Sequence, residues 1–229
     1  MERVGILCAS DTELAPFLKE MEVDGVAEKA MLKFYEGSAG KIPVVAVYSG
    51  VCKVNAAVAA ELLMECFDVE AVINAGTAGG MDPEAGLFDT IIAERSFYHD
   101  VAEDILTEFH PWMPSVYFPS DEGLLSAART YAKTGEYPIF FGSIATGERF
   151  IGNRGRERIR QKHAPLAVDM ETAAVAHACY VSGVPFLAVR SITDTEKDSG
   201  PEAFARNCEK ASEIAAKVTL GLLEMWIGT

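Results

Sequence analysis

The chain has 229 residues, 49% of them apolar and 24% charged, which is enough apolar surface to close a core without disulfide or metal staples. A formal charge of −14 argues against a nucleic-acid partner, because phosphate contacts need clustered lysine and arginine. The apolar runs, such as Ile42–Tyr48 and Phe186–Val189, are strand-sized and fall short of the ~20 residues a membrane-spanning helix needs.

In chain order, Val4–Cys8 predicts a strand, followed by a helix near Asp11–Met21. Leu32–Glu36 and Ile42–Tyr48 predict two strands joined through Gly37-Ser38-Ala39-Gly40 as a hairpin. Lys53–Cys66 carries apolar residues at helical spacing. Strands are expected at Ala71–Asn74 and Thr90–Glu94, with a glycine-rich turn, Gly76–Gly80, after the first. Then come a helix at Asp121–Lys133, a strand at Ile139–Ile144, a helix at Asn153–His163, a strand at Ala167–Asp169 and a helix at Thr172–Ser182. Pro185–Ile192 is the most apolar strand, and Pro201–Trp226 predicts a long final helix. Strands alternating with helices imply an α/β layer fold, and two early strands with no helix between them make its largely parallel sheet a mixed one.

With no repeat, low-complexity segment or long linker, residues 1–229 are expected to form one domain. Met1-Glu2-Arg3 runs straight into the first strand without an apolar leader, so a cytoplasmic protein is expected. Five scattered cysteines (Cys8, Cys52, Cys66, Cys179, Cys208) without a C-x-x-C pair read as buried free thiols, not as a zinc site or disulfide framework. The arginines of Arg154–Lys162 read as a solvated helix face.

Open α/β sheets bind ligands beyond the carboxyl ends of their strands. The polar strand exits are Ala9–Glu13, Ser49–Lys53, Gly76–Gly80, Asp169–Thr172 and Ser191–Asp194. Glu13, Glu171 and Asp194 thereby point to one rim, a set suited to acid–base work on a neutral, hydroxyl-rich substrate. A carboxylate matches a vicinal diol, and two separated carboxyls can cleave a glycosidic bond. Each also has a plainer reading: Asp11 and Asp194 as helix N-caps, and Glu13 as a first-turn acid favoured by the helix dipole. Glu171, between Met170 and Thr172-Ala173, fits a solvated face less naturally. The Gly76–Gly80 segment lacks G-x-G-x-x-G spacing, and His99 reads as structural before catalytic.

Several ordered blocks then carry a family resemblance: Ile73-Asn74-Ala75-Gly76-Thr77-Ala78-Gly79-Gly80, Tyr98-His99-Asp100, Phe150-Ile151, Val168–His177 and Val189-Arg190-Ser191-Ile192-Thr193-Asp194. The sequence resembles, almost end to end, the bacterial 5′-methylthioadenosine/S-adenosylhomocysteine nucleosidases of the nucleoside phosphorylase superfamily. The resemblance implies a three-layer α/β sandwich and hydrolysis of 5′-thio-substituted adenosines. It implies Asp194 as the acid that protonates purine N7 and Glu13 as the base for water. It implies Glu171 on the ribose hydroxyls, Met170 against the sugar, and Phe150 stacked on adenine with the Ile151 backbone at its edge. Thr77 is implied near the water, Val51 under the ribose, and Thr193 among the substrate contacts. No cofactor or metal is expected. A homodimer is implied, with the loop from Phe97 to Pro114 crossing into the partner's 5′ pocket.

Two departures bear on this. Thr77 stands where the family has serine, and Glu103, Leu106 and Glu108 stand where apolar or aromatic residues are expected. A futalosine-type nucleosidase therefore stays open. So does a purine nucleoside phosphorylase, although Ser10–Thr12 and Asn74 occupy the places where phosphate-binding arginines are expected. A nucleoside-binding relative without catalysis is the remaining reading.

Overall fold

A computed structural model describes residues 3–109 and 113–227; part of the expected cross-subunit loop, 110–112, lies outside the described residues. Strand β1 (Val4–Cys8) is fully buried, as its unbroken apolar run requires. Helix α1 (Asp11–Glu20) starts at an N-cap supplied by Ser10, whose hydroxyl accepts from the Glu13 amide, so Asp11 is not the cap. Strands β2 (Met21–Lys29), β3 (Leu32–Ala39) and β4 (Ile42–Tyr48) follow as an antiparallel meander. Its second turn is tight, with Gly40 at φ 59, so Gly37–Ala39 lie in the strand and not in the connection.

Strand β2 was not expected. It lies at the sheet edge and is mostly exposed, and its charges Glu22, Asp24, Glu28 and Lys29 erase an apolar alternation while discouraging edge-to-edge pairing.

Next come α2 (Lys53–Phe67), β5 (Ala71–Gly80), β6 (Thr90–Tyr98), α3 (Glu103–Glu108), β7 (Phe118–Pro119), α4 (Glu122–Ala132) and β8 (Ile139–Thr146). The chain ends with α5 (Asn153–His163), β9 (Ala167–Asp169), α6 (Thr172–Ser182), β10 (Phe186–Asp194) and α7 (Pro201–Ile227). Two corrections arise here. The glycine-rich Gly76–Gly80 is not a turn but the second half of β5, and it stays paired with β10 as far as Gly79. Asp194 ends β10 seven residues before α7 begins, so it caps no helix.

The sheet is mixed, as expected. Its centre is parallel: β4, β1, β5 and β10 run side by side in register. Antiparallel pairing joins β10 to β6 and β5 to β9, and parallel pairing joins β6 to β8 and β8 to β9. Strands β5, β10, β6, β8 and β9 thus close a ring that local periodicity does not reveal. One core packs α2 and α6 against Leu7, Val45, Val47, Val72 and Ala188, and another packs α1, α4 and α7 against Ile6, Val44, Ile73 and Val189. Alternate side chains of the same strands feed the two cores, which is why the central strands read as continuous apolar runs. Among the described residues, no helix is long and apolar enough to cross a membrane.

Candidate active site

The carboxyl ends of β1, β5, β9 and β10 surround a cavity of about 230 Å³. Glu13, Val51, Thr77, Phe150, Ile151, Met170, Glu171, Thr193 and Asp194 all line it, so all nine expected site positions meet at one place. His99 is not part of that wall.

Glu13 sits in the first turn of α1 but points inward and is 4% exposed, unlike a dipole-compensating surface acid. One oxygen accepts the Ala9 amide at 2.8 Å; the other accepts the Thr77 amide and the Thr77 hydroxyl, both at 2.7 Å. Three donors on one carboxylate fix its orientation without a solvent shell. Gly76 makes this possible, since a Cβ there would lie 2.6 Å from the Glu13 carboxyl carbon.

Glu171 precedes α6 and turns away from it. Its Oε1 accepts the Cys52 amide at 2.8 Å, and the two residues are 119 apart in sequence. Cys52 adopts φ 84, a left-handed conformation costly for a non-glycine residue, which aims that N–H at the acid. Burial, with Asp169 and Glu13 nearby, pushes the Glu171 carboxyl up to about 8, against the opposing pull of Arg190.

Arg190 lies in the block Val189–Asp194, for which the resemblance implies roles only at Thr193 and Asp194. It is fully buried at the centre of the acids: Nε lies 3.0 Å from Asp169, Nη1 3.9 Å from Glu13 and Nη2 3.8 Å from Glu171. It also donates to Asn74 Oδ1 at 2.5 Å and to the Thr172 hydroxyl at 3.1 Å. Burial disfavours its charge, but the surrounding carboxylates more than compensate. Asp169, also assigned no role, accepts the Thr146 hydroxyl at 2.6 Å and the Thr172 amide at 3.2 Å. An arginine inside the apolar run Phe186–Ile192 was the available signal, because arginine is seldom fully buried unless paired.

Asp194 is 2% exposed. Its Oδ1 lies 2.9 Å from the Thr193 hydroxyl, and its Oδ2 is paired with the guanidinium of Arg156. Burial raises its carboxyl above the usual range, with Arg156 and the Thr193 hydroxyl opposing. Arg156 corrects the solvated-face reading of Arg154–Lys162. Arg154 and Arg158 are exposed, but Arg156 is 2% exposed and also donates to the Gly80 carbonyl. The cysteines are likewise split: Cys8, Cys179 and Cys208 are buried, Cys52 is half-buried and Cys66 is exposed.

Phe150 is 45% exposed at the mouth, in an edge contact with Phe204 of α7. Arg149 is the one cationic side chain among the residues of the wall, which also include Glu13, Asp169, Glu171 and Asp194. Of the loop residues that depart from the expected pattern, Glu103 pairs with Lys162 of α5 at 2.9 Å, and Leu106 is buried.

Residues 3–224 match the family model described as the phosphorylase superfamily. A 5′-methylthioadenosine/S-adenosylhomocysteine nucleosidase of a Marinomonas species is 36% identical, over 98% of this chain and 99% of its own. The corresponding nucleosidase of Neisseria meningitidis, solved with methylthio-immucillin-A, superposes with a TM-score of 0.89 at 30% identity, covering 98% of this chain and 99% of that one. A futalosine hydrolase of Helicobacter pylori superposes with a TM-score of 0.88 at 26% identity, covering 97% of each chain.

The fold and the match define a member of the phosphorylase superfamily. Within it, the chain belongs to the 5′-methylthioadenosine/S-adenosylhomocysteine nucleosidase family, whose members hydrolyse N-glycosidic bonds.

Proposed function

We propose that this chain hydrolyses the C1′–N9 bond of 5′-thio-substituted adenosines, methylthioadenosine and adenosylhomocysteine, and releases adenine. The observation that carries this reading is the meeting of Glu13, Glu171 and Asp194 on one cavity wall, each held by different partners.

In the proposed reaction Asp194 gives its proton to purine N7 as the C1′–N9 bond breaks, so adenine leaves neutral. Water attacks C1′ and passes a proton to Glu13, whose orientation is already fixed by the Ala9 and Thr77 donors. Glu171 holds the ribose hydroxyls, while Met170 and Val51 cover the sugar. Phe150 stacks on the purine, the Ile151 backbone reads its edge, and Thr193 and Thr77 hold the flanking polar atoms. Protein groups and water suffice for this chemistry, with no cofactor or metal.

Of the arginines near the cavity, Arg190 and Arg156 are already engaged by its acids and only exposed Arg149 remains, which favours water over phosphate as the nucleophile, since phosphate needs cations or a ring of amides. Futalosine hydrolysis is the second reading, favoured by the likeness to the Helicobacter pylori enzyme. We further infer that residues 1–229 act as one catalytic unit, in the cytoplasm, as a homodimer to whose second site the 97–114 loop contributes. Exposed Val54 and Val58 on α2, with Tyr180 and Val181 on α6, supply an apolar face for such pairing.

Adenine release from methylthioadenosine, adenosylhomocysteine and futalosine, each with and without phosphate, tests the assignment. The expected result is phosphate-independent release from the two thio-nucleosides, abolished in Asp194→Asn. A sugar 1-phosphate product, full activity in Asp194→Asn, or turnover confined to futalosine would overturn it.

A further inference from the structure

The ion pair behind Asp194 does work that the acid–base assignment does not explain. Asp194 and Thr193 belong to the cavity wall and Arg156 does not, so the guanidinium approaches the carboxylate from the side away from the cavity. Arg156 has two anchors in the fold, Oδ2 of Asp194 and the Gly80 carbonyl at the end of β5, while its buried Nε has no partner. Gly79 lines the same narrow space, where a Cβ would lie 3.1 Å from the Arg156 guanidinium and 3.3 Å from Oδ2.

Helix α5 is tied to the segment after β10 at two further points. Asn153 donates to the Glu196 carbonyl at 3.2 Å, and Arg160 pairs with the Glu196 carboxylate at 3.1 Å. The chain just before α5 carries Phe150 and Ile151 into the cavity. One short segment therefore bears both the purine-stacking ring and the residue that grips the proton donor.

We propose that Arg156 is a positioning residue for Asp194: from behind the wall it holds Oδ2 and leaves Oδ1 beside Thr193 facing the purine. This rests on the assignment of Asp194 as the general acid. The charged groups facing Asp194 are Arg156 from α5 and Asp198 from the loop after β10. Asp198 is itself paired with Arg206 of α7 at 2.7 Å. The facing part of β5, Gly79 and Gly80, adds no ionisable side chain.

The direction of the effect follows. Arg156 favours the ionised carboxylate, whereas burial and Asp198 favour the protonated one. Removing the guanidinium leaves the Thr193 hydroxyl alone to oppose the latter two, so the free enzyme keeps its acid protonated to higher pH. The basic limb of the kcat/KM profile reports that acid in the free enzyme. A nearby guanidinium typically lowers a carboxyl by ~1–3 pH units, so the limb should rise by about that much in Arg156→Gln. Arg156→Lys keeps the charge on a shorter, single-point donor and should raise the limb by less.

The test is the pH dependence of methylthioadenosine cleavage by the wild type, Arg156→Gln, Arg156→Lys and Asp194→Asn, each first checked for a cooperative thermal melt. A graded upward shift, largest for glutamine, supports the inference; a role confined to stability would lower the melting temperature and leave the limb in place. If Arg156→Gln does not fold, Arg156→Lys decides alone, an upward shift supporting the inference and an unmoved limb overturning it. An unmoved or lowered limb with an inactive Asp194→Asn overturns the role of Arg156 and leaves the acid assignment standing. An active Asp194→Asn overturns both.

Discussion

Replacing Gly76 by alanine adds a single methyl group at the closest approach in the site. A Cβ there would lie 2.6 Å from both Cδ and Oε1 of Glu13 and 2.7 Å from Oε2. Comfortable contact requires ~3.5 Å, so the carboxylate must retreat by about 1 Å. It then leaves donors that now sit at 2.7–2.8 Å, namely the Ala9 amide and the amide and hydroxyl of Thr77. Each hydrogen bond to a charged group contributes ~1.5–3 kcal/mol, so losing one or two should lower the melting temperature by on the order of 5–10 °C in a chain of this size. A displacement of this size at a reacting group costs ~10²-fold in rate. The substrate contacts proposed for Phe150 and Glu171 lie elsewhere, so kcat should carry the loss while KM changes little. Steady-state adenine release and a thermal melt on the same preparation provide both numbers. A Gly76→Ala enzyme with kcat within threefold of wild type would show that Glu13 is not the base, or that its three-donor clamp is irrelevant to the base's work.

Two further expectations concern stability and assembly. Glu171 has its folded-state pKa raised to about 8, so its contribution to stability is present below the ordinary glutamate range and is lost as pH rises through about 8. The melting temperature of Glu171→Gln relative to wild type should therefore climb between pH 5 and pH 9, even as ribose binding fails, and a constant difference across that range would refute the elevated pKa. Val54 is 73% exposed on α2; Val54→Asp should convert a dimer into a monomer by sedimentation or light scattering, and an unchanged dimer would place the interface elsewhere.

The sequence was most informative where chemistry and chain order coincide. Glu13 follows β1 and Asp194 ends β10, and the parallel register of β1, β5 and β10 carries both to one rim, whereas Glu171 reaches it from β9, which pairs antiparallel with β5. Helix α2 was legible from apolar residues at helical spacing, and α6 from a largely apolar run closed by Gly183 at φ 70. Strand β2 was hidden by its exposed charges, and the closing of β5, β10, β6, β8 and β9 into a ring depends on pairings between distant segments. Arg156 was hidden by its neighbours, one of four arginines in an Arg-x-Arg-x pattern whose alternation suggests a uniform surface. Helical spacing separates them: Arg156 and Ile159, three residues apart, are the buried residues of α5, while Arg154 and Arg158 fall on its solvent face.

Arg190 explains how so acidic a cavity can exist in the folded protein. Three carboxylates, Asp169, Glu13 and Glu171, lie within 3.0–3.9 Å of one guanidinium, which is one cation for three acids. Glu171 is the acid whose carboxyl is pushed up, mainly by burial and further by the charges of Asp169 and Glu13, against the pull of Arg190. In the proposed reaction the missing cation is the sugar itself. As the C1′–N9 bond stretches, positive charge grows on the ribose that Glu171 would hold, and that charge favours the ionised form of a carboxyl that burial disfavours, its proton being released to solvent when the nucleoside binds. The neutral nucleoside offers no such charge. The acidic excess held by Arg190 therefore stabilises the transition state more than the bound substrate, and only such a difference accelerates bond cleavage.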